Sequence, residues 1–189
     1  MNEAEIRNHF IDPALDASGW DMHHRRLEFT LTAGRIVNQD GAWNRGEGSA
    51  ADYILMPSPD FHIGVVEAKD GHYSPDDGLQ QALDYANMLD LPFAASSNGE
   101  AFVFHDKTGL LFDGDIERML PMDQFPDRSM LVDAFYSWKG WSGDDSAILS
   151  TPHYQDPSGG DKEPRYYQRR ATQAALEAIN SNSGNNRGL

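Results

Sequence analysis

Three charged residues lie at the ends of two apolar runs in the segment 51–70, ADYILMPSPDFHIGVVEAKD. Asp52 precedes the first run, and Glu67 and Lys69 follow the second. Carboxylates, together with a backbone carbonyl such as that of Ala68, are the hard oxygen ligands that Mg²⁺ prefers. A metal held there would acidify a water and neutralise charge on a phosphoryl group, while a lysine could orient that water. These residue types therefore indicate metal-dependent phosphodiester hydrolysis.

The two apolar runs must pair if those charges are to meet. Residues 53–56 and 63–66 are mostly branched or aromatic, and the PSPD cluster between them predicts a turn. In an antiparallel hairpin the start of one strand lies beside the end of the other, which would bring Asp52 to Glu67 and Lys69. Val65 and Val66 predict a strand buried on both faces, where a carboxylate needs a partner. The alternative is solvated charge at a strand end, since so short a pattern recurs by chance.

A helix is predicted directly after this hairpin. Ser74 would cap it and Pro75 would occupy its first position. Its apolar stripe comprises Leu79, Ala82, Leu83, Ala86 and Leu89. Gln81 and Tyr85 lie four residues apart beside that stripe, where they could hold a phosphate or a nucleophile. The alternative is a helix flank with a half-buried tyrosine.

An N-terminal helix is indicated by Asn2 as its cap, Glu5 at the capping-box position and Gly19 as its end. Glu3 or Glu5 could reach the metal site from this helix, or both could serve only its N-terminus, and the sequence leaves that open. Residues 25–37 alternate as a strand, and the Gly- and Asn-rich stretch 39–49 is predicted to be a loop.

The remaining elements complete an α/β pattern. The Asn98-Gly99 pair predicts a hairpin between 92–97 and 101–105, and 110–112 is predicted to add a short strand. Apolar spacing in 129–138 predicts a further helix. We therefore predict an α/β domain with strands, a crossing helix, more strands and flanking helices.

Composition restricts the class of protein. The 189 residues can form one domain with a sizeable core, and the absence of cysteine, signal peptide or long apolar segment leads us to expect a cytoplasmic protein without membrane insertion. Fifteen Lys and Arg against thirty Asp and Glu give a net charge of −15, the wrong sign for an autonomous nucleic-acid binder. A nuclease of this charge would borrow its DNA affinity from elsewhere, and an acidic DNA mimic that binds another protein is an alternative.

The amino-acid composition changes after residue 138. Residues 139–163 are rich in Gly, Ser, Asp and Pro, as expected for a linker. A helix is then predicted from Pro164 to about Ile179, with a stripe of small apolar residues at Ala171, Ala174, Ala175 and Ala178. This arrangement indicates the start of a second, truncated domain.

Four segments together carry a resemblance to a known family. They are EAEIRNHFIDPALDASGW, the pair ADYIL and VVEAKD, GLQQALDYANMLDLPFAASSNGE, and PRYYQRRATQAAL. In this order they resemble the N-terminal region of the restriction (R) subunit of type I restriction–modification enzymes. The central pair resembles a PD-(D/E)xK nuclease site of the RecB-like kind, and residues 81–85 resemble its QxxxY element. The resemblance implies a restriction-endonuclease-like core: a central mixed β-sheet flanked by helices.

The resemblance also implies residue roles. Asp52 and Glu67 would be metal ligands, Lys69 the catalytic lysine, and Gln81 and Tyr85 supporting residues. Ala51 stands where the family has proline, which leaves the ligand set unchanged. The implied division is a nuclease domain over 1–138, a linker over 139–163 and the beginning of a superfamily 2 translocase over 164–189. In that translocase Gln168 would contact the adenine of ATP.

The implied activity is Mg²⁺-dependent cleavage of double-stranded DNA, after ATP-driven translocation by downstream domains. The implied partners are the methylation and specificity subunits, which would hold the DNA and raise its effective concentration at the nuclease. We accordingly expect weak or no cleavage by the isolated fragment. A stand-alone nuclease of resolvase or repair type is a further alternative.

Overall fold

A six-stranded mixed sheet forms the centre of the protein. The computed structural model describes residues 1–32, 36–39, 42–45, 49–59, 61–141 and 166–183. The strands are β1 (Arg25–Thr32), β2 (Ile36–Gln39), β3 (Ala42–Arg45), β4 (Ser49–Leu55), β5 (Gly64–Ala68), β6 (Phe93–Ser97), β7 (Ala101–Asp106) and β8 (Glu117–Pro121). The main sheet has the order β1-β4-β5-β6-β7-β8, and β2 and β3 form a separate ribbon. Only the β5–β6 pair of the main sheet is parallel.

Helices cover both faces of the main sheet, which confirms the predicted fold class. The helices are α1 (Glu3–Ile6), α2 (Asp12–Ala17), α3 (Leu79–Leu89), α4 (Arg128–Lys139) and α5 (Tyr166–Ser183), and a π-helical turn, Arg7–Ile11, joins α1 to α2. The apolar side of α3 packs on one face, against Val65 and Ala94 among others. Residues of α1, α2 and α4 pack on the opposite face, around Val66 and Ala95. Strand β5 is buried throughout because it lies between these layers.

Local sequence signals placed several elements correctly. The predicted hairpin exists: β4 and β5 pair antiparallel, with Tyr53 opposite Val66. The N-terminal capping box is present in full, because the Asn2 side chain accepts from the Glu5 N–H and the Glu5 carboxylate accepts from the Asn2 N–H. Gly99, at φ 89°, permits the tight turn between β6 and β7.

Two predictions about strands were wrong. The single strand expected over 25–37 is two elements, β1 and β2, and the loop expected over 39–49 contains β3, which pairs with β2. The strand expected over 110–112 is a turn, in which the buried carboxylate of Asp106 accepts from the N–H groups of Thr108 and Leu111. The last strand of the main sheet is β8 instead. Exposed residues interrupt the apolar pattern by which the sequence would indicate this strand.

The start of α3 also differs from the prediction. Ser74 and Pro75 belong to turns, and the helix begins at Leu79 with Gly78 in the N-cap position. The Pro75 carbonyl accepts from the hydroxyl of Ser96 on β6, so it is bonded to the sheet rather than to an N–H group of the helix. The cap signal was present, but a tertiary contact competed with it.

Helix α5 packs beside α3 and α4. The Arg170 guanidinium donates to the Met88 carbonyl at 3.0 Å, and Lys139 forms an ion pair with Glu177 at 3.3 Å. A cavity of about 380 Å³ lies between α5 and the domain. The alanines of the predicted stripe are exposed, and residues 142–165, which hold most of the predicted linker, lie outside the described residues. In the described part of the chain, no helix has the length and apolar character needed to cross a membrane.

Candidate active site

Strands β4 and β5 separate at one end of the sheet and create a small cleft there. Their register ends with the pair Tyr53 and Val66. Beyond that pair β4 continues its pairing with β1, whereas Glu67 and Ala68 continue their pairing with β6. Asp52 and Glu67 are the next residues on the two separating strands. Backbone groups that would have paired across the sheet are therefore available to side chains.

Each of the two carboxylates accepts a hydrogen bond from a backbone N–H of the opposite strand. The Asp52 N–H donates to Glu67 Oε1 at 3.2 Å, and the Ala68 N–H donates to Asp52 Oδ2 at 2.8 Å. Each acid thus satisfies a backbone donor on the opposite strand and is held in a fixed place. Glu67 is 1% exposed, and the Asp52 side chain is 18% exposed, so one acid is buried and its neighbour reaches the surface.

Lys69 is held by a chain of side-chain hydrogen bonds from α3. Its Nζ donates to Gln81 Oε1 at 2.9 Å, and Gln81 Nε2 donates to the Tyr85 hydroxyl at 3.1 Å. The Lys69 N–H donates to the Ser97 carbonyl at 2.9 Å, which fixes its backbone against β6. Gln81 and Tyr85 lie four residues apart and so face the same side of α3. Their side chains thus hold the lysine in addition to forming the flank of the helix.

The site holds negative charge at a buried position. Burial first, and the charge of Asp52 second, raise the pKa of Glu67 to about 8, although the Asp52 N–H and Lys69 act in the opposite direction. Without another cation, Glu67 is therefore largely protonated at neutral pH. A cation placed between the two carboxylates would remove this penalty.

The N-terminal helical segment contributes two residues whose position the sequence did not determine. Arg7 Nη1 lies 3.8 Å from Asp52 Oδ1 and 3.6 Å from Glu28, and its guanidinium stacks over the Tyr53 ring. Partial burial, followed by the charge of Asp52, raises the pKa of the exposed residue Glu3, so the charges of these two acids act on each other. Arg7 lies four residues after Glu3 on a helix, and that spacing was the only signal for it. Glu5 belongs to the capping box instead.

The donor set fits a magnesium ion. Within the described residues, no group of three His, Cys, Asp or Glu side chains is placed to hold a metal, so the side-chain ligands at this site are the carboxylates of Asp52 and Glu67. Mg²⁺ binds through one or two carboxylates and retains water and phosphate as further ligands. A zinc site would need a fuller set of nitrogen or sulfur ligands.

Gln168 belongs to α5 and not to the elements that carry the candidate site residues. It is an exposed residue in the first turn of α5, while the candidate site is formed by β4, β5 and α3. Its predicted contact with adenine stays a prediction.

The chain is similar over its whole length to a restriction endonuclease subunit. The chain is 33% identical over 191 residues to the type I restriction enzyme EcoAI endonuclease subunit of Escherichia coli, and the alignment covers all of this chain and 23% of that subunit. The homologues of this chain are type I restriction endonuclease subunits. The chain aligns with their N-terminal region and spans about a quarter of the length of the EcoAI subunit.

A solved structure supports the same relationship. A fragment assigned to the HsdR subunit of a type I restriction enzyme from Vibrio vulnificus superposes with a TM-score of 0.81 at 33% identity. The match covers 95% of this chain and 32% of the solved chain, so it extends over the sheet and its helices. No protein-family model matches the chain. The predicted resemblance to restriction subunits and the predicted restriction-endonuclease-like core are both confirmed.

Proposed function

We propose that this chain is the Mg²⁺-dependent nuclease domain of a type I restriction R subunit, which cleaves double-stranded DNA after ATP-driven translocation by the rest of the subunit. The observation that supports this most is the convergence of the reciprocal Asp52–Glu67 pair with the Lys69–Gln81–Tyr85 chain. In the relatives, the remaining three-quarters of the subunit has room for a translocase. The methylation and specificity subunits would supply DNA affinity, which a net charge of −15 does not favour.

The proposed roles follow from where each atom is held. Asp52, Glu67 and the Ala68 carbonyl would bind Mg²⁺, which when bound supplies Lewis-acid charge that acidifies water and offsets charge on the phosphate. Glu67 would have to release its proton to bind the metal, because its pKa is raised to about 8 in the metal-free site. Lys69 donates hydrogen bonds toward the attacking water or the phosphate oxygens.

Gln81 and Tyr85 have a positioning role in this proposal. A lysine side chain has four rotatable bonds, and an unheld ammonium would spend little time in one place. The bond to Gln81 restricts Nζ, and the Tyr85 hydroxyl in turn restricts the Gln81 amide. The Tyr85 hydroxyl accepts from that amide, and burial raises its pKa.

The test is DNA cleavage by the complete restriction complex. Asp52→Asn and Lys69→Ala should each reduce cleavage by about 100-fold or more, while subunit assembly and ATP hydrolysis remain. Asp84→Asn is the matched control, because Asp84 is an exposed acid on α3 that bonds to Gln80. Normal cleavage by Asp52→Asn, or loss of assembly together with cleavage, would refute the proposed role.

A further inference from the structure

Helix α3 begins with a glycine where a capping side chain would ordinarily stabilise it. Gly78 occupies the N-cap position, and no side chain there bonds to the helix. Its angles, φ −89° and ψ −11°, are available to every L-amino acid, so the backbone does not require glycine. Helical backbone at position 78 is not the extended conformation from which Ser, Asp or Asn caps a helix, and the Leu79 N–H already donates to the Asp76 carbonyl, so a capping role does not decide the residue here. The reason for glycine must therefore be spatial.

A Cβ at position 78 would crowd the side chain of the candidate catalytic lysine. A Cβ added to Gly78 would lie 3.1 Å from Lys69 Cε, 3.2 Å from Lys69 Cγ and 3.0 Å from Ser96 Cβ. Ser96 is fully buried in β6, and its hydroxyl is bonded to the Pro75 carbonyl, so it cannot retreat. The Lys69 backbone is bonded to Ser97 and is fixed as well. The Lys69 side chain is the part that would move.

We propose that Gly78 is a positioning residue for Lys69. Because position 78 has no Cβ, the lysine side chain can lie across the first turn of α3. Its Nζ then reaches Gln81 Oε1, three residues further along the helix, at 2.9 Å. The inference rests on the proposed function for its catalytic consequence, but not for the geometry.

A double-mutant cycle on thermal unfolding of the full 189-residue chain tests the geometry without any nuclease assay. Gly78→Ala should lower the melting temperature, and the loss should become smaller in a Lys69→Ala background, where Cγ and Cε are gone. Gly71→Ala is the control, because the nearest atoms to its added Cβ are 3.8 Å away, in ordinary contact. Its effect should be equal in both backgrounds. An equal loss for Gly78→Ala in both backgrounds would overturn the proposal.

The lysine can also be observed directly by NMR. The ε-methylene signal of Lys69 is assigned by its disappearance in Lys69→Arg. In the unmodified chain a held side chain should show two resolved Hε resonances, which should merge in Gly78→Ala and stay separate in Gly71→Ala. If the two resonances stay separate and unshifted in Gly78→Ala, the glycine does not position the lysine.

The catalytic consequence is measured in the complete complex. Gly78→Ala should lower the maximal cleavage rate and leave the Mg²⁺ concentration for half-maximal rate unchanged, because Asp52 and Glu67 are not displaced. A changed metal requirement with a normal maximal rate would contradict a role through Lys69. If Lys69→Ala itself cleaves normally, the proposed function fails, while the unfolding cycle and the NMR signal still decide whether Gly78 positions the lysine.

Discussion

Replacing Glu67 with glutamine should remove a pH dependence from the stability of the metal-free protein. In the folded chain burial and Asp52 raise the pKa of Glu67 from 4.5 to about 8. A folded carboxyl with a raised pKa binds a proton that the unfolded chain has already released. The stability that the protonated Glu67 carboxyl contributes is therefore fully present below about pH 4.5 and is lost as the pH rises through about 8. Glutamine keeps an oxygen for the Asp52 N–H but has no proton to lose.

The size of the effect follows from the same shift. Moving a pKa from 4.5 to about 8, at about 1.4 kcal/mol per unit, gives a ceiling of about 5 kcal/mol. Local relaxation lowers this ceiling. We therefore expect the free energy of unfolding of Glu67→Gln, relative to that of the unmodified chain, to rise by about 2 to 5 kcal/mol as the pH increases from about 5 to about 9. Urea unfolding at a series of pH values, in the presence of a chelator, measures this difference.

Two comparisons identify the carboxyl responsible. Glu100→Gln, at an exposed position, should follow the unmodified chain at every pH. Saturating Mg²⁺ should flatten the slope of the unmodified chain and leave Glu67→Gln unaffected, because the metal replaces the proton as the partner of the carboxylate. Parallel curves for Glu67→Gln and the unmodified chain across this range would refute the reasoning.

The N-terminal helical segment and the core offer three further tests. Arg7→Gln should tighten Mg²⁺ binding by about two- to ten-fold in calorimetric titration, because it removes a cation 3.8 Å from Asp52; weaker binding would contradict this. Glu5→Ala should lower the free energy of unfolding by about 1 kcal/mol through the lost capping box, with Mg²⁺ affinity unchanged. Glu3→Ala should instead weaken Mg²⁺ binding. If Glu5→Ala weakened Mg²⁺ binding and Glu3→Ala did not, the roles assigned to Glu3 and Glu5 would be exchanged. Phe61→Ala should cost about 3–5 kcal/mol in urea unfolding, because its ring packs against three aromatic rings around α4, and a loss of under about 1 kcal/mol would show that the cluster is loosely packed.

Short-range signals in the sequence identified elements whose cause is local. The capping box at Asn2 and the Asn98-Gly99 turn are each satisfied by neighbours within a few residues, and so no tertiary information was needed. The β2–β3 ribbon was missed because its strands have only four residues each and, among the described residues, pair with each other rather than with the main sheet. The predicted start of α3 failed because Ser96, distant in sequence, binds the Pro75 carbonyl.

The residue types of the candidate site could be read from the chain, because the DxnExK and QxxxY spacings fix which side chains share a strand end or a helix face. The sequence could not show that β4 and β5 separate beyond Tyr53 and Val66, which lets each acid bind a backbone N–H of the opposite strand. Nor could it place Arg7 beside Asp52, or show that Gly78 makes room for the lysine. Strand divergence, burial and close approach depend on packing between segments far apart in the chain, and only the folded chain sets those distances.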